Sequence, residues 1–157
     1  MADGAPMADA DLLAALRAQP DEALRAVQGR AQDDLRRPAS DGGWGAIEHL
    51  AHLHDWEEVT LWRVQAVIAE DNPELPAYDD DLWPIERDYS NRNGERMVAE
   101  FAQMRGEIIA AVEDLAGEAW ERTGVHGVAG EVTLRWLLTR QFEHSADHIR
   151  QVRDLLA

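Results

Sequence analysis

The 157-residue chain contains no cysteine and no lysine, and nowhere a long uninterrupted apolar run. Without cysteine there are no disulfides, no thiolate metal sites and no thiol nucleophile, so any ligand or nucleophile must come from other side chains. No 18 apolar residues stand together, which excludes a membrane-spanning helix. The opening MADGAPMADADLLAAL lacks the basic start and apolar stretch of a secretory signal, so a cytoplasmic protein is expected. Positive charge is scarce: 15 arginines stand against 31 acidic residues, a formal charge of −16. That balance repels phosphate backbones and anionic lipid surfaces, and excludes nucleic acid and membranes as partners. What remains is ordinary for a globular chain, with 45% hydrophobic and 29% charged residues. Residues 1–157 are expected to form one domain, with residues 1–9 as a flexible tail.

Apolar spacing supplies the architecture. Leu12, Leu13, Leu16, Leu24, Val27, Ala31 and Leu35 recur at helical intervals, with Pro20 expected to kink the run or to start a second short helix. After the loop Pro38–Gly43, a second helix is predicted from Trp44 to about Glu70. It is apolar on two sides and so sandwiched between neighbours. Residues 71–93 hold three prolines, an acidic run and three aromatics without a sustained period. They read as a crossing loop, longer than connections in compact domains usually are and therefore a candidate functional segment. Met97, Phe101, Met104, Ile108, Val112 and Leu115 define a third helix. Gly117–Glu131 reads as turns with a short extended piece at Gly127–Val132, and a last helix starts at Thr133, a suitable N-cap. The expectation is all-α: a four-helix bundle with a long crossover between its second and third helices.

Histidine carries the chemical signal. Of six, three lie in EHLAHLHDWEE and two in FEHSADHIRQV. On the last helix His148 falls within the apolar stripe beside Leu137, Val152 and Leu155, and His144 lies at its edge. Both rings face inward one turn apart, the spacing at which two imidazoles bind one metal ion. The bland alternative pairs these nitrogens with waters, a carboxylate or backbone carbonyls. On the second helix His52 shares a side with Asp55, Trp56 and Val59, His54 points nearly opposite, and His49 lies between. A partner for His144 and His148 is therefore His52, alone or with His49. Three imidazoles with one coordination position open is the catalytic rather than the structural pattern for zinc. Asp55 is the candidate to orient His52 or to act as a base, unless it is simply a solvated carboxylate. Glu57 and Asp147 are expected on the surface. His54 is expected in a solvated or inter-helix place, and His126 is expected as a turn residue, the alternative being a place near the site mouth.

These residues also carry a resemblance. Trp44, Glu48, His52-Leu53, Asp55 and Glu57, then Gly130-x-x-Thr133-Leu134 and His144-x-x-x-His148, resemble the DinB/YfiT-like superfamily of bacterial four-helix bundles over nearly the whole chain. The stretch Glu70–Pro76, with Trp83 and Tyr89, is similar to one subgroup. The resemblance implies a divalent metal, zinc or nickel, held by His52, His144 and His148. It implies an active site at one end of the bundle acting on a small-molecule substrate, and a homodimer. It also implies metal-dependent transfer of a low-molecular-weight thiol of the bacillithiol or mycothiol kind to small electrophiles, or else metal-dependent hydrolysis, or a non-catalytic metal- or ligand-binding bundle. In the transferase reading Arg87, Tyr89 and Arg92 are candidates to meet the thiol's carboxylates. Gly45 departs from the family, where serine often follows the tryptophan, and is expected to weaken the helix start.

Overall fold

The computed structural model describes residues 6–157. Most of the tail expected at residues 1–9 lies outside them. Four long helices form the bundle: α1 (Asp9–Val27), α3 (Ala46–Ala69), α5 (Gly94–Val112) and α6 (Leu134–Leu155), with a short α2 (Gln32–Arg36) before α3. The crossing segment is less irregular than its sequence. It holds a two-residue strand β1 (Glu74–Leu75), one helical turn α4 (Trp83–Glu86) and a 3-10 turn over Tyr89–Asn91. Strands β2 (Thr123–His126) and β3 (Gly130–Thr133) form an antiparallel hairpin, and β1 pairs parallel with β2. The turn thus falls where an extended piece was expected, at 127–129, and strands flank it on both sides. The expected bundle therefore carries a small three-stranded sheet at one end, order β1-β2-β3. Two- to four-residue strands are too short to show a period-2 pattern.

Two helix details follow from chemistry between distant residues. Pro20 lies inside α1, which continues through it without a break. A proline has no N–H for the carbonyl four residues back, here that of Leu16. That carbonyl instead accepts a hydrogen bond from Arg105 Nη1 at 2.9 Å, so the group freed by Pro20 is satisfied from α5. At the start of α3, Gly45 is the N-cap, and its N–H donates to Glu48 Oε2 at 3.0 Å. A Cβ at Gly45 would meet the Arg37 carbonyl oxygen at 2.4 Å. The glycine lets two backbone segments touch, and Glu48 caps the helix that a missing serine was expected to weaken.

The apolar core divides into two clusters. One gathers Val27, Leu35, Leu50, Tyr89, Phe101 and Ile149; the other Leu12, Leu16, Val67, Ile108, Leu134 and Leu138. Between them lies a buried polar layer centred on Arg105 and Glu57, 1% and 0% exposed. Arg105 uses all five N–H groups. Nε and Nη2 donate to the Glu57 carboxylate at 2.5 and 2.9 Å, Nη2 also to Ser145 Oγ at 3.0 Å, and Nη1 to Gln19 Oε1 at 2.7 Å as well as to Leu16. Gln141 Nε2 donates to Glu57 at 2.6 Å and its carbonyl oxygen accepts from Thr60 at 2.8 Å. All four long helices meet here. Glu57, expected on the surface, is inside because Arg105, 48 positions away, supplies its counter-charge. Removing one partner of such a pair leaves a buried unpaired charge. Arg105→Met is therefore expected to cost about 3–5 kcal/mol in urea denaturation, and Arg105→Met with Glu57→Leu to recover much of that loss. A single variant with wild-type stability would contradict the role given to this layer.

Candidate metal centre

α3 and α6 run antiparallel and place histidines at facing positions. His52 from α3 meets His144 and His148 from α6, with ring centroids 5.1 and 4.8 Å from His52 and 4.5 Å from each other. One nitrogen from each ring lies within 4.8 Å of the others. Their closeness follows from one helical turn between His144 and His148 and from the pinning of the same two helices by Glu57, Gln141 and Ser145.

The rings are not consumed by hydrogen bonds to protein. His52 Nδ1 and His144 Nδ1 are buried without a partner among the described residues. His148 has one, since its Nδ1 lies 2.9 Å from Nδ1 of His49, the residue whose role was left open. If His148 donates that proton, its Nε2 lone pair is free, the usual arrangement of a metal-binding imidazole with a supporting acceptor. Burial, then the mutual repulsion of neighbouring rings, pushes the His144 pKa down to about 4 and that of His148 to about 2. Burial, then repulsion from His52, puts His49 at about 4, and burial lowers His52 despite the nearby Asp80 and Asp55. At neutral pH the cluster is uncharged, and its lone pairs are available.

Two indoles wall the cluster. Trp44 lies 5.3, 5.2 and 6.4 Å from the rings of His49, His52 and His148, and Trp56 lies 6.3 Å from both His52 and His144. Trp44, expected only to staple the start of its helix, is part of the site. On the Trp56 side opens a cavity of about 500 Å³, running along α3 and α6 to the hairpin. On the Trp44 side lies a shallower recess of about 600 Å³, reached by His49 and His148.

Asp55 is placed differently from its expected role. It is 3% exposed, but neither oxygen hydrogen-bonds His52. Oδ1 takes bonds from His54 at 2.8 Å and Arg92 at 2.8 Å, and Oδ2 from Arg87 at 2.9 Å and Tyr89 at 3.1 Å. The hydrogen bonds from His54, Arg92 and Arg87 outweigh burial and hold this carboxyl well below the usual carboxylate range. Asp55 is thus the anchor that ties the crossing segment to α3, and Arg87, Tyr89 and Arg92 are occupied by it rather than open to a thiol. His54 is buried between helices, not solvated. Burial lowers its pKa, but hydrogen bonds to Asp55 and to Glu100, the latter at 2.7 Å, leave it above its ordinary value. Asp147 is exposed as expected.

The carboxylate beside the cluster is Asp80, from the crossing segment. Its Oδ2 lies 3.3 Å from His52 Nε2 and accepts a hydrogen bond from Trp56 Nε1 at 2.9 Å. In sequence Asp80 is one of three consecutive aspartates, and nothing local distinguishes it from Asp79 and Asp81. His126, in β2, lines the same cavity. Its Nδ1 accepts from the N–H groups of Val128 and Ala129, both at 3.1 Å, so the neutral ring carries its proton on Nε2.

In fold and in sequence the chain is similar to known proteins. A solved structure, YfiT from Bacillus subtilis, described as having an unusual four-helix bundle topology, superposes with a TM-score of 0.87 at 21% identity, over 99% of this chain and 91% of that one. In sequence, YfiT of Bacillus subtilis is 25% identical over 137 residues, covering 87% of this chain and 77% of the relative. A Geobacillus kaustophilus protein is 26% identical over 144 residues, 91% of this chain and 81% of its own. Both relatives are named for an inferred metal-dependent hydrolase activity. The sequence model of the DinB superfamily matches residues 15–152, and the chain belongs to that superfamily.

Proposed function

We propose that the chain is a metal-dependent enzyme that hydrolyses a small molecule, with a divalent cation, zinc or nickel, held by His52, His144 and His148. The observation that carries this reading is the convergence of three neutral rings from two helices, two of them with a buried nitrogen that no described residue satisfies. Buried polar atoms are rarely left without a partner, and imidazole nitrogen suits zinc and nickel. A cation held by these three rings would supply a Lewis acid to a molecule in the cavity.

The chain's own groups do the rest. The indoles of Trp44 and Trp56 pack against the imidazoles and restrict how their rings can turn. His49 fixes the ring of His148. Asp80, lining the cavity with one oxygen beside His52, is the group placed to accept a proton from a water entering there. Hydrolysis adds that water across the scissile bond, and the proton taken up by Asp80 is returned to the leaving group. Thiol transfer is the second chemistry open to the same site. With no cysteine in the chain, its sulfur would come from a small-molecule cosubstrate such as bacillithiol or mycothiol.

Purified protein is expected to hold roughly one zinc or nickel ion per chain by elemental analysis, with His148→Ala losing it while its circular dichroism stays helical. With a panel of activated esters and amides, Asp80→Asn is expected to retain the metal and lose roughly 10²-fold or more in kcat. Full metal content in His148→Ala overturns the ligand assignment. Turnover only in the presence of a thiol and an epoxide or alkyl halide selects the transferase chemistry instead.

The lowered imidazole pKa values also predict a pH dependence for the metal-free protein. Between the ordinary histidine value of 6.5 and about 4, the unfolded chain binds protons that the folded cluster refuses, so stability falls as pH falls, by up to about 1.4 kcal/mol per pH unit for each ring. His54 has the opposite sign and acts above 6.5, Glu100 acts below 4.5 and Asp55 below 3.8, so between 4.5 and 6.5 the slope comes from the lowered imidazoles, those of the cluster together with His126. The Tm of chelator-treated protein is expected to drop across that range, and the drop to shrink in His144→Phe. A flat Tm would show the rings to be solvated.

A further inference from the structure

The cavity beside the imidazoles has an electrically distinct far end. His52, Trp56, Thr60 and Arg63 line it along one stripe of α3, and His144, Arg140 and Trp136 line it along α6. The 11 residues from His52 to Arg63 span about 16 Å of helix. Arg140 stands one turn before His144 and is exposed at the rim, whereas Arg63 is 6% exposed and lies deeper in the wall.

These two arginines lack what their neighbours have. Arg87 and Arg92 pair with Asp55, and Arg105 pairs with Glu57. No carboxylate of the described residues lies within ion-pair distance of Arg63 or Arg140. Arg63 donates from Nη2 to the Pro76 carbonyl at 2.7 Å, while its Nε is buried with no partner. A buried guanidinium without a counter-ion is costly, and the cost is greater where the chain had 31 carboxylates to choose from. Aromatic faces hold both groups in place. The Arg63 guanidinium carbon sits 5.6 and 5.9 Å from the rings of Trp56 and Tyr78, and that of Arg140 sits 5.6 Å from Trp136. Their positive fields meet at His126: after burial, Arg63 and Arg140 are what hold its pKa below the ordinary value. His126 keeps an Nε2–H donor on the cavity wall.

We propose that this far end is an oxyanion subsite: the molecule the protein acts on is a small organic acid whose carboxylate or phosphate group is bound by Arg63 and Arg140, while its other end reaches the imidazoles. The second half of that statement rests on the imidazole cluster being the reaction centre; the first half does not. A guanidinium carries N–H donors in a planar fork that matches a carboxylate or phosphate edge.

The test uses 4-phenylbutyrate, its neutral amide 4-phenylbutanamide and phenyl phosphate, titrated calorimetrically into chelator-treated and zinc-loaded protein. At least one of the two anions is expected to bind about tenfold or more tightly than the amide, and their ranking tells carboxylate from phosphate. Arg63→Gln and Arg140→Gln are each expected to abolish that preference. Should Arg63→Gln fail to fold, Arg140→Gln decides, because that residue is exposed. Equal affinity for anion and amide, no binding of any probe, or a preference that survives Arg140→Gln overturns the subsite. An anion preference in a protein that takes up neither zinc nor nickel leaves the subsite standing and removes the metal-centred reading. Zinc uptake without any preference does the reverse.

Discussion

The bundle is organised around one fully satisfied guanidinium. Arg105 reaches from α5 into the space between two apolar clusters and holds Glu57 of α3, Gln19 and the Leu16 carbonyl of α1, and Ser145 of α6. Such a layer adds little net stability compared with a well-packed apolar one, because desolvating both charges offsets their attraction. Its effect is on register. Glu57 stands five residues after His52, and Gln141 and Ser145 bracket His144. A slide of α3 against α6 would break the layer and separate the rings together, so the same hydrogen bonds that fix the core fix the site.

Around that layer, α3 serves two polar environments of opposite character. One side carries His52 and, through it, the neutral cluster. The other carries His54 and Asp55, a charged knot that clamps Arg87, Tyr89 and Arg92 of the crossing segment. The clamp positions the rest of that segment, including Asp80 beside His52 and β1 against the hairpin. The hairpin in turn brings His126 to the cavity. Groups separated by more than 70 positions thereby share one wall.

What the sequence made legible was periodic. The four long helices follow from apolar spacing, and the inward pair His144 and His148, with His52 opposite, follows from the same wheel. What it concealed was pairing between remote polar residues. Asp55 lies near His52 on the wheel, but its direction is decided by arginines 32 and 37 positions on. Glu57 reads as a surface charge until Arg105 is placed against it. Pro20 reads as a break until the carbonyl it orphans is seen to have another donor. The strands were hidden by brevity, and Asp80 by its acidic neighbours. In each case the deciding partner is far along the chain, where no local pattern reports it.

His148 belongs to both the Trp56 cavity and the Trp44 recess, so the imidazoles form a thin partition with a chamber on each face. The two chambers differ in charge: Arg63 and Arg140 line the first together with Asp80, whereas Asp41 and Asp154 line the second with no arginine beside them. A bulky acid filling the arginine side leaves the acidic side unobstructed. Each face of the partition therefore opens to its own surroundings, and His148 is the ring that both chambers touch.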